Sequence, residues 1–144
     1  MDQTKLHVEK LRISGIRPTK QRLTICKILF DRKETFHFTI GTLKKIIEKE
    51  DREKISIATL YNTVNAFEKK GYLKQISIKG NKTYFDTNTK KHHHFYDEDS
   101  SQLIDIKNEN ISVKNLPQMP SGKKIQEIDI TIRIANNTQK QKSN

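Results

Sequence analysis

Apolar positions recur at three- and four-residue steps through the first 70 residues, and that spacing predicts helices. Residues 18–31 carry Lys20, Thr24, Lys27 and Asp31 on one stripe, with apolar side chains around most of the remaining circumference, the pattern of a helix buried on several sides. A second helix is predicted over residues 39–50, with Thr39 as its N-cap and Ile40, Leu43, Ile46 and Ile47 facing inward. Ser56 caps a third, whose Ile57, Leu60, Val64 and Phe67 form one apolar face and which ends near Gly71. A weaker amphipathic stretch, residues 6–13, precedes all three. From residue 72 the period drops to two: Ile76 and Ile78 fall on one side of a strand and Gln75 and Ser77 on the other. Residues 79–82 read as a turn and 83–86 as the returning strand. A helix pair joined by a short turn and followed by a basic-tipped hairpin describes a winged helix-turn-helix, which is a DNA-binding architecture.

The remaining chain follows a different pattern. Phe95 and Tyr96, residues 102–106, and the alternation of Ile128, Ile130, Ile132 and Ile134 with Asp129, Thr131 and Arg133 predict three strands, with Pro117, Pro120 and Gly122 breaking the segment between them. So small and apolar-poor a unit cannot bury a core by itself, so it is expected to pair with a second copy as a homodimer. Residues 137–144 are polar and expected to be disordered.

Composition narrows the classes. With 33% hydrophobic residues in 144, the chain is limited to one or two small domains. No apolar run is long enough to span a membrane and no apolar stretch of signal-peptide type follows the first residues, so a cytoplasmic protein without a membrane partner is expected. The net charge of +11 is uneven: residues 1–86 hold 19 Lys and Arg against 10 Asp and Glu, whereas residues 87–144 hold 9 against 7. A basic first half is the electrostatic footprint of a nucleic-acid module, although codons rich in A and T also raise a Lys count. The single cysteine, Cys26, excludes an intrachain disulfide and any CxxC structural zinc clamp, and its place on the buried face of the first strong helix marks it as a small apolar filler. No HExxH, GxSxG, Gly-rich phosphate loop or zinc-deaminase pattern occurs, so no enzyme is expected.

Two groups of residues carry candidate chemistry. If Ile57, Leu60, Val64 and Phe67 are buried, Ala58, Thr59, Asn62 and Asn65 face outward with Tyr61 at the margin. Ala and the Thr methyl suit thymine methyl groups, and Asn suits adenine. No Arg is available there for guanine, so double-stranded A/T-rich operator DNA is the expected partner. Lys5, Lys10, Arg12, Arg17 and Lys20, with Lys79 and Lys82 on the wing, are the candidate phosphate or minor-groove contacts, each of which alone also fits a solvated surface. The second group is His92-His93-His94, an internal run in which a strand would turn His92 and His94 to one face and His93 to the other. Neutral imidazole is the commonest metal ligand, and Asp86, Asp97, Glu98, Asp99 and Asp105 lie nearby in sequence. His37, between Phe36 and Phe38, reads first as a hydrogen-bonded structural residue.

Taken together, Gly15-Ile16-Arg17-Pro18-Thr19 with Gln21-Arg22, the helix Ser56-Ile57-Ala58-Thr59-Leu60-Tyr61-Asn62-Thr63, and the stretch from Lys82 through His92-His93-His94-Phe95 to Leu103-Ile104-Asp105-Ile106 resemble the ferric uptake regulator family. The likeness runs from about residue 8 to 134, and the third stretch, with Asn62 where typical members carry Arg, looks most like the iron response regulator branch. The resemblance implies an α+β chain: an N-terminal winged helix over residues 1–86 and a small α/β dimerisation and sensing domain over residues 87–136. It also implies a dimeric repressor of iron and haem homeostasis genes. Tyr61 matches the family's DNA-contacting tyrosine; His37, Asp86, His92, His94 and Asp105 fall at or near its regulatory metal positions, for iron, manganese or zinc; and His92, His93 and His94 match the branch's haem-binding motif. The paired-cysteine zinc site is missing, Phe95 and Tyr96 stand where further ligands would be, and the last strand offers no histidine. Those departures favour haem over a bare divalent ion as the effector.

Overall fold

A computed structural model describes residues 2–51 and 53–137, which form two compact units dividing between Thr89 and Lys90. The expected tail lies almost wholly outside the described residues.

The first unit contains four helices, α1 (Gln3–Ile13), α2 (Lys20–Phe30), α3 (Ile40–Glu50) and α4 (Ile57–Lys69), and the strands β1 (His37–Phe38), β2 (Lys74–Ile78) and β3 (Lys82–Asp86). Each helix begins at a side-chain cap: Asp2, Thr19, Thr39 and Ser56 accept from backbone N–H groups that would otherwise be unpaired in the first turn. Thr39 and Thr42 cap reciprocally, a Thr doing the work more often given to Glu at the third position. Ile25, Cys26, Ile28 and Leu29 of α2, Leu43 and Ile47 of α3, and Leu60, Val64 and Phe67 of α4 close the core with Leu11, Phe38, Ile55, Leu73 and Phe85. Burial pushes the Cys26 thiol up to about 12, so it packs as a protonated apolar group. Lys10 lies with its ammonium 3.6 Å from the centroid of the Phe30 ring and 4.9 Å from that of Tyr72, and burial lowers its pKa.

The predicted hairpin is present, with Ile78 opposite Lys82 and its tip turned at Gly80 and Asn81, both of positive φ. A strand the periodicity missed, β1, adds to the far side of β3 to give the sheet order β1-β3-β2. Two residues are too few to show alternation. The unit extends three residues past the expected boundary because Thr87 bonds Phe36 in both directions, donating its N–H to the Phe36 carbonyl at 3.2 Å and accepting the Phe36 N–H at 3.0 Å.

The second unit is a sheet of order β5-β4-β6, in which β4 (His92–Asp97) runs antiparallel to β5 (Gln102–Lys107) and parallel to β6 (Thr131–Ile134). The β4–β5 turn is set by Asp97, whose carboxylate accepts the N–H groups of Asp99 and Ser100; the Asp99 bond is the main cause holding its carboxyl below the usual range. The alternation expected over residues 128–134 yields a strand of only four residues, since Ile128 and Ile130 lie before the paired segment. No helix among the described residues is long and apolar enough to cross a membrane.

Phe67 is fully buried and Tyr61, one and a half turns earlier on the same helix, is half exposed. Urea unfolding should therefore show Phe67→Ala destabilised by about 3–5 kcal/mol and Tyr61→Ala changed by no more than about 0.5 kcal/mol.

Candidate metal-ligand groups and nucleic-acid face

In the first unit β1 and β3 put His37 and Asp86 opposite each other. Asp86 has no solvent exposure; its Oδ2 lies 3.2 Å from His37 Nε2 and its Oδ1 accepts the Asn88 N–H at 2.8 Å. His37 is thus placed by sheet register rather than by its aromatic neighbours.

In the second unit, the pleat of β4 separates the histidine run as the sequence predicts. His94 pairs across β5 with Asp105, and the Nε2 atoms of His92 and His94 both lie 3.4 Å from Asp105 Oδ1. The two imidazole centroids are 4.5 Å apart, and both rings are buried. His92 Nδ1 is 2.5 Å from the Lys90 carbonyl, which can only accept, so Nδ1 carries a proton. A second-atom hydrogen bond of this kind fixes the tautomer of a metal-ligating histidine. His93 turns to the other face, where its Nδ1 accepts the Ile130 N–H at 3.1 Å just ahead of β6. That bond makes His93 a tie between strands and takes it away from the other two imidazoles, so the three do not present to one ligand.

The donor chemistry fits a divalent cation. His92, His94 and Asp105 each offer one ligand atom, all within 4.8 Å of one another, and His37 and Asp86 offer the same kinds of atom. Ligand atoms at about 2.1 Å from an ion are about 3.0–3.4 Å from each other in octahedral or tetrahedral shells, close to the spacings seen here. Imidazole with carboxylate suits manganese, iron or zinc. Neither group includes Phe95, Tyr96 or a residue of the last strand, so the donors that are present do not depend on those departures.

On α4 the outward face is wider than expected. Ala58, Tyr61, Asn62 and Asn65 are exposed and Thr59 is partly so, its hydroxyl 2.9 Å from that of Ser56 in the cap. Ile57, expected in the core, is instead half exposed, whereas Leu60, Val64 and Phe67 are buried as expected; Thr63 is fully buried as well, its hydroxyl donating to the Thr59 carbonyl at 2.8 Å. The first turn stands ahead of the core, and an internal hydroxyl bond lets a threonine pack where periodicity calls for an aliphatic. Arg17, Lys20, Lys79 and Lys82 are exposed, Lys20 standing 3.7 Å from Glu53. Tyr61, Asn65 and Lys82 line one cleft of about 370 Å³ with Gln75, so helix and wing share a polar surface.

A winged helix of four helices and a hairpin, followed by a small sheet bearing paired histidines and a carboxylate, defines a class of two-unit chain. The model of the ferric uptake regulator family matches residues 13–133, and the chain belongs to that family. It is 30% identical over 99 residues to the peroxide-responsive repressor PerR of Staphylococcus aureus strain Mu50, a match covering 69% of this chain and 65% of that protein, just under two thirds of its length. Its fold is similar to the ferric uptake regulator of Pseudomonas aeruginosa with manganese, at TM-score 0.66 and 20% identity over 91% of this chain and 98% of that one. It is also similar to the Helicobacter pylori regulator Fur, described as having three functional metal binding sites, at TM-score 0.66 and 18% identity over 96% and 95% of the two chains.

Replacing His93 by Ala leaves the Ile130 N–H without its acceptor. Thermal or denaturant unfolding should register a loss of about 1–3 kcal/mol in the second unit, accompanied by earlier hydrogen exchange at Ile130, with no loss of divalent-metal binding.

Proposed function

We propose that this chain is a metal-responsive transcriptional regulator, not an enzyme, that binds operator DNA as a homodimer. His37 and Asp86 in the first unit and His92, His94 and Asp105 in the second are the proposed ligands for a divalent ion. The observation that carries the reading is the pair of donor groups, each built from imidazole and carboxylate, flanking the connector of residues 87–91. Asp86 and His92 are six positions apart, a distance the backbone can span with at most about 20 Å between them. A bound cation supplies the positive charge that these carboxylates and imidazole lone pairs would coordinate. The chain's own contribution is to hold the donors in place: the Lys90 carbonyl orients His92, and the Asn88 N–H steadies Asp86.

A divalent ion is the better-supported effector, and iron, manganese and zinc all suit the donors. The haem reading and the iron response branch draw less support, because His93 is engaged with Ile130 on the opposite face from His92 and His94. For DNA, Ile57, Ala58, Tyr61 and Asn62 form the reading face, with Thr59 beside them and Arg17, Lys20, Lys79 and Lys82 as backbone contacts; A/T-rich operators suit this set. For dimerisation, Ile104, Phe95 and Ile132 stand side by side across β5, β4 and β6, with Ile104 47% and Ile132 41% exposed, an apolar row that a second copy would cover.

Titration of the full chain with manganous, ferrous and zinc ions and separately with haem, following metal occupancy and binding to an A/T-rich duplex together, tests the reading. His94→Ala should lower divalent-metal affinity by about 10- to 100-fold, and Asp86→Asn should lower it as well. If Asp86→Asn leaves affinity unchanged, Asp86 is not a ligand; haem binding that His92→Ala and His94→Ala both abolish, with no response to any ion, would restore the haem reading. Tyr61→Ala or Asn62→Ala should reduce discrimination between operator and random duplex by about 1–3 kcal/mol. Log affinity should fall with log salt at about −0.9 per neutralised phosphate. Sedimentation should show a dimer that Ile104→Glu converts to monomer.

A further inference from the structure

β5 and β6 flank β4 on opposite sides, and the connection between them is longer than the sheet requires. Lys107 stands opposite His92 and Thr131 opposite His94, so β5 ends and β6 begins at the same end of the sheet. Two strands separated by one other are about 10 Å apart, a gap that about three extended residues cross. Residues 111–130 instead run without helix or strand and are almost all exposed. Connections longer than about 12–15 residues with no secondary structure are uncommon and usually functional. This one has a defined tip: the Pro120 carbonyl accepts the Lys123 N–H at 3.0 Å and Gly122 has a φ of 75°, a tight turn with glycine at its third position.

The segment is an arm whose apolar side chains are left uncovered by their own chain. Val113 is 42% exposed, Leu116 47% and Ile125 43%. The row across the sheet has the same deficit, with Ile104 47% and Ile132 41% exposed on either side of Phe95. Both surfaces are open at once, so the arm does not close over the row of its own chain. Three side chains are also too few for a dimer by themselves, because a stable interface buries about 800 Å² on each partner, about 20–30 residues a side. Each copy therefore possesses an uncovered row and an uncovered arm, the condition for a two-fold pairing in which each gives and receives the same contact.

Charge sets the direction of the arm. From Ile111 to Gln126 it has Lys114, Lys123 and Lys124 and no acidic residue; Glu127 and Asp129 come only on the return to β6. The β4–β5 turn lies at the far end of the sheet from the roots of the arm, and it holds Asp97, Glu98 and Asp99, with Arg133 3.4 Å from Glu98. Two sheets related by a two-fold axis across their strands put the root end of one over the turn end of the other. The basic tip of each arm then meets the acidic turn of the other copy. Charges at such a rim fix register and speed encounter more than they add affinity, which falls to the apolar contacts.

We propose that residues 111–125 reach across to a second copy of this chain and cover its Phe95, Ile104 and Ile132, with Lys123 and Lys124 beside its acidic turn. The inference rests on the homodimer reading and goes beyond it by naming what covers the row.

The single native cysteine, Cys26, is buried, so introduced thiols report alone. The test co-expresses two differently tagged full-length chains, one with Leu116→Cys and the other with Ile104→Cys, and treats the purified protein with a short bismaleimide. The expected product is a covalent heterodimer in a yield well above that of either chain alone. A chain with both substitutions that cross-links within itself instead shows the arm on its own row and overturns the proposal. Val113→Glu with Leu116→Glu, at exposed positions where folding is little affected, should raise the dimer Kd in sedimentation by about tenfold or more. Lys123→Glu with Lys124→Glu should slow association. An unchanged Kd in the Val113 and Leu116 variant, with Ile104→Glu still monomeric, overturns the arm contact and leaves the homodimer reading standing. A parent chain that sediments as a monomer defeats both. If the arm substitutions weaken only duplex binding and leave the dimer intact, the arm is a DNA contact and the proposal falls.

Discussion

A carboxylate with no solvent exposure needs charge or donors around it to remain ionised, and Asp86 is such a group at the end of β3. Its surroundings account for much of the local architecture. His37 faces it because β1 pairs with β3, and residues 87 and 88 stay with the first unit because Asn88 donates to its carboxylate and Thr87 closes on Phe36. The wing is therefore more than a basic finger: its inner strand ends in a fully buried carboxyl group. One edge of the first unit is thereby tied to the surroundings of a residue proposed to hold a metal.

Much of this was legible in the sequence, and the exceptions have identifiable causes. Caps at Thr39 and Ser56, the two inward stripes of α3 and α4, and the switch to period two at the hairpin are signals of local geometry, and local geometry decides them. The partition of the histidine run also follows from the pleat alone, with His93 going its own way. What the sequence does not display is pairing at a distance. β1 is two residues long and exists because β3 offers an edge; His93 finds the Ile130 N–H 37 residues away. Ile57 is exposed because a helical wheel assigns a face but not how far toward the end of the helix the core reaches, and Thr63 is buried next to Val64 because its hydroxyl is satisfied within the helix.

The two faces of the β5-β4-β6 sheet divide their labour by the same alternation. His92, His94 and Asp105 share one face, whereas Phe95, Ile104 and Ile132 share the other. One strand, β4, supplies side chains to both. A change in the pairing register of β4 would move the imidazoles to the apolar side and Phe95 to the polar side, so the site and the proposed interface stand or fall with one alignment.

The parallel pairing of β6 with β4 bears on the order in which the molecule assembles. β4 and β5 are joined by a tight turn, but β6 returns only after the exposed, irregular residues 111–130. Closing that stretch carries an entropic cost that grows only slowly with its length, yet it must be met before the ladder gives anything back. Within the second unit β6 thus closes the longer loop, and its ladder to β4 is the pairing that must outweigh the larger entropic cost.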